Sequence, residues 1–162
     1  MFIAIEGLDG AGKSTISKLL ANKLNAVHLI TPQKSIAKVR GVLDEVYEAN
    51  THARQLFYAS SVVNISQEID ELLTLGKTVV IDRYWLSTQV YHNWRCKGQH
   101  FKLLEIEDSI QKPDFTIFLK LPLETRKSRI QKRNYSTDED NLTLIKENDF
   151  EINRLYGSFQ GK

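Results

Sequence analysis

A chain of 162 residues is long enough to bury a sizeable core and is expected to form one domain spanning 1–162. Its 22 basic and 20 acidic residues leave a net charge of +2, without the strong basic excess of a dedicated nucleic-acid binder, so no nucleic-acid partner is expected. Cys96 stands alone, no apolar run approaches the roughly 18 residues of a membrane span, and the N-terminus enters a strand at once; a disulfide frame, a thiolate metal cluster, a membrane segment and a signal peptide are not expected, and a reducing cytoplasm is.

Phe2 to Glu6 is a short apolar run read as a first strand. Residues 7–14 follow it as GLDGAGKS and fit the phosphate-loop pattern GxxxxGK[ST] without a mismatch. Gly7, Gly10 and Gly12 permit the close backbone approach that a phosphate nest requires. A helix starting near Lys13 would aim its free amides and positive dipole end at an anion, with the Lys13 ammonium on the phosphates and the Ser14 hydroxyl on Mg²⁺. The expected ligand is the phosphates of a nucleotide, held by Gly7, Gly10, Ala11, Gly12, Lys13, Ser14 and Thr15. The ordinary alternative, a glycine-rich turn before a helix, is disfavoured by the strand before it and the helix after.

The helix carries Ile16, Leu19, Leu20 and Leu24 at helical spacing. Val27 to Ile30 reads as a second strand. The stretch ARQLFYASSVVNISQEIDELLTL sustains the helical period for over five turns and ends at Gly76 as a C-cap. Thr78 to Asp82 is a third strand, with Asp82 at its carboxyl end, where parallel sheets keep their ligands. There Asp82 is the expected Mg²⁺ partner beside Ser14, and Arg83 would aim a guanidinium fork at phosphate oxygens. The competing role for Asp82 is as cap of a helix starting near Trp85. Phe115 to Lys120 reads as a fourth strand, and Arg126, Arg129 and Arg133 follow at intervals of three and four, one face of a helix leading into a polar loop, KRNYSTDEDN, at 132–141. Strands alternating with helices imply an α/β fold, a parallel sheet with helices on both faces.

The pairing of FIAIEGLDGAGKST with DRYWLSTQVY resembles the thymidylate kinase family, and LFYAS, KPDFTIFL and ETRKSRIQKRNYSTDED fall in that family's order. The resemblance implies a three-layer P-loop kinase fold with a parallel sheet of at least four strands, helices on both faces and a lid at about 132–141. It implies Mg²⁺-dependent transfer of the ATP γ-phosphate to dTMP, giving dTDP, with small-molecule nucleotides as the partners. Asp9 would accept a hydrogen bond from the acceptor's 3′-hydroxyl, and Arg40 and Arg83 would bind its phosphate. Phe57 would stack on the base, Thr88 would bond its edge, and Tyr91 would crowd a 2′-hydroxyl; Ser61 and Ser87 complete the acceptor site. Transfer onto an anionic phosphate needs little proton chemistry, so catalysis rests on positioning and charge from Lys13, Arg83, Arg129 and Arg133. Gly10 stands where a basic residue occurs in some members, which moves the expected charge to the lid arginines.

Several positions depart from the family pattern. Ser61 replaces an arginine that reads the thymine carbonyl, and the loop after the second strand is reduced to TPQKSIAKVR, where Lys34 would replace a lost charge. His92 stands where glutamine is common and Lys120 where aspartate is common. The family's fifth strand, adenine-facing loop and closing helix are not found after NDFEINRLYGSFQGK, so the open sheet edge is expected to be covered by a homodimer partner or a further segment. Two alternatives follow: a P-loop kinase for a different nucleotide or small hydroxyl acceptor, and a non-catalytic nucleotide-binding protein.

Overall fold

Phe2 to Gly7 form strand β1, and every residue of it is buried. A strand buried on both faces needs a cover on each, and its alternation supplies two apolar faces. Phe2 and Ala4 pack with Val79 and Ile81 against Ala59, Val62, Ile65 and Ile69, whereas Ile3, Ile5 and Val80 pack against Ala21. The computed structural model describes residues 1–133 and 136–159. In it β1 lies between β3 (Val79–Asp82) and β4 (Phe115–Leu119), and β2 (Val27–Ile30) pairs with the other side of β3, all in parallel. The sheet order is β2-β3-β1-β4. The chain leaves β1 toward β2 on one side and leaves β3 toward β4 on the other, so the carboxyl ends of β1 and β3 flank a topological switch point, where α/β sheets bind ligands.

One face is covered by helix α1 (Lys13–Leu24) and the other by α3 (Thr51–Thr74). The side of α1 against the sheet differs from its large apolar residues. Ser17 and Ala21 are buried, while Leu19 is 60% exposed and Ile16 and Leu24 are exposed as well. Small side chains let the helix lie close to the strands, which decides the facing side over bulk hydrophobicity. In α3 the buried residues recur at helical spacing as expected, and its end is closed at Gly76, φ 71°, where Gly76 N–H bonds Leu73 O and Lys77 N–H bonds Leu72 O.

The stretch after β2 is more ordered than its shortened loop suggests: a 3₁₀ turn at Lys34–Ile36 runs into α2 (Ala37–Val46). Helix α4 (Trp85–Arg95) follows β3, and α5 (Leu104–Ser109) precedes β4. Helix α6 (Leu123–Gln131) ends before Arg133, so Arg133 does not share its face with Arg126 and Arg129 as the spacing suggests. The polar segment expected as a loop contains a helix, α7 (Asp138–Thr143), because Thr137 and Asp140 form a reciprocal capping box. Residues 134–135 of the expected lid lie outside the described residues. Helix α8 (Lys146–Phe159) packs Ile152, Leu155 and Tyr156 against Leu8 and Val90. Among the described residues no helix is long and apolar enough to cross a membrane.

Gly7 joins β1 to the phosphate loop with φ 145°, and a Cβ there would lie 2.6 Å from the Leu119 carbonyl oxygen of β4. Gly7→Ala is expected to lower stability by about 2–4 kcal/mol, read as a reduced urea midpoint at unchanged m-value.

Candidate active site

The loop from Gly7 to Lys13 is shaped by two more left-handed glycines, Gly10 at φ 80° and Gly12 at φ 98°. Helix α6 lies directly behind it: a Cβ on Gly10 would press on Ile130 at 3.2 Å and on the Arg126 carbonyl at 3.1 Å. Gly12 caps α1 without a side chain, so the first amides stay free for an anion. Lys13 is buried, donates to the Leu8 carbonyl at 2.9 Å, and lies 3.8 Å from an Asp9 carboxylate oxygen. Burial, and then the Arg83 charge, push its ammonium down to about 8, against the pull of Asp9 and Asp82. A phosphate in the loop would restore the full charge of Lys13 by supplying the anion it lacks.

At the end of β3, Asp82 accepts a hydrogen bond from the Ser14 hydroxyl through Oδ2, while its Oδ1 is buried with no hydrogen-bond partner. Asp82 therefore does not cap α4. That task falls to Glu6 of β1, a buried carboxylate that accepts the N–H of Tyr84 at 2.9 Å and of Ser87 at 3.2 Å and also the Ser87 hydroxyl. Burial pushes the Glu6 carboxyl up, opposed by those hydrogen bonds and by the Arg83 charge. The signal for Glu6 in the sequence is a charge inside an otherwise apolar strand.

Arg83 adopts φ 65°, unusual for a residue with a side chain, and its amide bonds the Ile5 carbonyl at 3.0 Å. This turn sends the guanidinium back across the sheet end, where Nη2 pairs with Asp9 Oδ1 and Nη1 donates to Ser87 Oγ at 3.2 Å. Tyr91 of α4 donates to Asp9 Oδ2 at 3.0 Å, and the Arg83 guanidinium lies 5.2 Å from its ring centre. Burial raises the Asp9 carboxyl, but the Arg83 and Lys13 charges and the Tyr91 hydroxyl outweigh it and hold the group well below the usual carboxylate range.

These groups line one cavity of about 400 Å³. Of the expected residues, Asp9, Gly10, Gly12, Lys13, Ser14, Thr15, Arg40, Asp82, Arg83, Ser87, Thr88, Tyr91 and Arg133 face it. Gly7, Ala11, Phe57, Ser61 and Arg129 do not. Successive helical residues point about 100° apart, and it is Tyr58 that lines the wall, with Phe57 set edge-on against it at 5.1 Å. Ser61 is buried and its hydroxyl donates within α3 to the Phe57 carbonyl at 3.3 Å, so it reaches no acceptor. Lys34 does not line it but borders a neighbouring hollow with Lys18, His28 and Glu68.

The three arginines after β4 separate into three roles. Arg126 is 1% exposed and donates to the Asp9 carbonyl at 2.7 Å and the Thr143 carbonyl at 3.1 Å, and it pairs with Asp149; it pins the phosphate loop to α7 and α8. Arg129 reaches the loop itself, donating to the Ala11 carbonyl at 3.2 Å. Arg133 pairs with Asp140 at 3.4 Å and faces the cavity. The basic stretch is thus directed at the phosphate loop and at carboxylates. Sequence reasoning missed Arg54, Tyr58, Arg95 and Glu139, which also line the cavity and come from helices whose relative placement no local pattern reports. His92 lines it too, held neutral as burial, then Arg54 and Arg95, push its ring down to about 3.

The sequence model of the thymidylate kinase family matches residues 5–159. A probable thymidylate kinase of Methanocaldococcus jannaschii is 30% identical over 158 residues, covering 96% of this chain and 83% of that protein. One of Thermococcus kodakarensis is 32% identical over 159 residues, covering 88% of this chain and 77% of the relative. The solved thymidylate kinase of Candida albicans superposes with a TM-score of 0.77 at 26% identity, covering 98% of this chain and 76% of that one. With this match along nearly its whole length, the chain belongs to the thymidylate kinase family and is an ATP-dependent phosphotransferase of the P-loop nucleoside monophosphate kinases.

Proposed function

We propose that the chain, acting in the cytoplasm, transfers the γ-phosphate of ATP bound at residues 7–15 to dTMP, yielding ADP and dTDP. The observation that carries this reading is one cavity in which the phosphate loop, the Ser14 and Asp82 pair and the Asp9, Arg83 and Tyr91 cluster face one another, so that donor and acceptor can meet in line. Relatives named as thymidylate kinases support dTMP as the acceptor.

Asp9 would accept the sugar 3′-hydroxyl, since a carboxylate engaged by Arg83 and Tyr91 retains free lone pairs. Tyr91, held against Asp9, stands where a ribose 2′-hydroxyl would come and so favours deoxyribose. Arg40 and Arg83 would take the acceptor's phosphate, Thr88 the base edge, and Tyr58 the part of the wall that Phe57 does not reach. The attacking oxygen is already anionic, so the protein's task is to hold it in line and to neutralise charge with Lys13, Arg129 and Arg133. The unpartnered Asp82 oxygen and the Ser14 hydroxyl beside it fit a hard cation, and these two residues would hold Mg²⁺. Bound there, Mg²⁺ would neutralise negative charge on the donor phosphates.

A second reading, transfer to another deoxynucleoside monophosphate, is favoured by Ser61, whose hydroxyl is engaged inside α3 and presents no group to a base. A coupled assay over a panel of nucleoside monophosphates separates the two. We expect dTMP to give the highest kcat/KM, chelation of Mg²⁺ to abolish turnover, and Lys13→Ala to lower kcat by about 100-fold or more. Turnover of another acceptor with none of dTMP would select the second reading.

We also infer a homodimer, formed where β4 ends the sheet with Phe115 59% exposed and Ile117 exposed. Light scattering should report twice the chain mass of 18.6 kDa, and a Phe115→Lys variant should report the single mass; a single mass for the unaltered protein would refute it.

A further inference from the structure

Beside the cavity, a run of alternating charges joins four helices. Arg40 and Asp44 of α2 meet at 3.4 Å, Asp44 meets Arg54 of α3 at 3.2 Å, Arg54 meets Glu139 of α7 at 3.5 Å, and Glu139 also pairs with Arg95 of α4. Arg54, Arg95 and Glu139 all line the cavity, and each is mostly withdrawn from solvent. A solvated surface pair would contribute little, but one carboxylate shared between two largely buried guanidinium groups is a fixed junction.

The next residue on α7 looks a different way. Asp140 is buried, closes the capping box with Thr137, and accepts from Arg133 Nη1 at 3.4 Å. Arg133 is 39% exposed, and Asp140 is the carboxylate it meets. A helix of six residues has little stability of its own, so tertiary contacts set its position. Glu139 supplies those contacts toward α3 and α4, and Arg126 supplies them at the far end through the Thr143 carbonyl and hydroxyl.

We propose that Glu139 is a positioning residue for phosphoryl transfer: by bridging Arg54 and Arg95 it fixes the first turn of α7, and through Asp140 that turn holds Arg133 at the cavity. This rests on the reading of the cavity as a phosphoryl-transfer site in which Arg133 supplies charge. Placement of the arginine is thereby tied to the two helices that wall the acceptor side, so disturbance of that wall is felt as lost charge at the donor.

The test is a four-variant cycle on the full chain: unaltered protein, Glu139→Gln, Arg133→Ala and the double variant, each confirmed folded by its melting curve. The cycle uses whichever monophosphate the unaltered protein turns over best, so a failure of dTMP as acceptor does not touch it. We expect Arg133→Ala to lower kcat about 100-fold alone, Glu139→Gln about 30-fold, and Arg133→Ala only about 3-fold further in the Glu139→Gln background, with the KM for ATP within about 3-fold throughout. Glu139→Asp should recover part of the loss. Affinity for a transition-state mimic, ADP with aluminium fluoride and the acceptor, measured by calorimetry, repeats the cycle without turnover: Arg133→Ala should weaken it in the unaltered protein and leave it nearly unchanged beside Glu139→Gln. Multiplicative losses, no effect of Arg133→Ala alone, or a Glu139→Gln effect confined to the melting temperature would each overturn the proposal.

Discussion

The ion pair between Asp9 and Arg83 is the contact on which the rest of the site depends. Asp9 belongs to the loop that leaves β1 and Arg83 to the turn that leaves β3, so the pair spans the switch point of the sheet. It forms because β1 and β3 run in register, with Ile5 opposite Asp82, and because the left-handed turn at Arg83 brings its guanidinium back toward β1. A strained backbone at a side-chain-bearing residue persists only where surrounding structure over-determines it. Here the Ile5 carbonyl, the Ser87 hydroxyl, the Asp9 carboxylate and the Tyr91 ring hold it from four directions.

Around this pair the site is charged, and its cations lie among carboxylates. Lys13, Arg83 and Arg126 are matched by Asp9, Asp82, Glu6 and Asp149 within the same small volume. Buried pairs of this kind contribute little net stability, because desolvation offsets the attraction, but they orient dipoles and charges before substrate arrives. Incoming phosphates would exchange one set of anions for another beside Lys13 and Arg83, so the cations need little rearrangement. The apolar sheet makes this possible: β1 is covered on both faces by side chains that leave only its carboxyl end for polar work.

The donor side was legible from the sequence because its chemistry is local. Eight consecutive residues define the phosphate loop, and Asp82 ends, and Arg83 follows, a strand whose carboxyl end is a known ligand position. The helical wall of the cavity was less legible because it is assembled from α2, α3, α4 and α7. Spacing along α3 could not say whether Phe57 or Tyr58 faces the cavity, since a rotation of one residue exchanges them. The same limit applied to α1, where Ser17 and Ala21 rather than the large apolar residues meet the sheet. Arg126 lies in a stretch that reads as a solvated basic face, and only its burial against Asp149 and the Asp9 carbonyl separates it from Arg129 and Arg133. Helix α7 escaped notice because acidic, polar residues form it through a capping box rather than through an apolar stripe.

We propose that Asp9 makes the phosphate loop part of the acceptor site while Lys13 and Ser14 serve the donor. Steady-state kinetics of Asp9→Asn test it most directly, because the substitution keeps shape and removes the charge that holds Arg83 and would receive the sugar hydroxyl. The account predicts that KM for the acceptor rises about 10-fold or more while KM for ATP stays within about 3-fold. An unchanged acceptor KM, or a loss that falls on ATP instead, would contradict it.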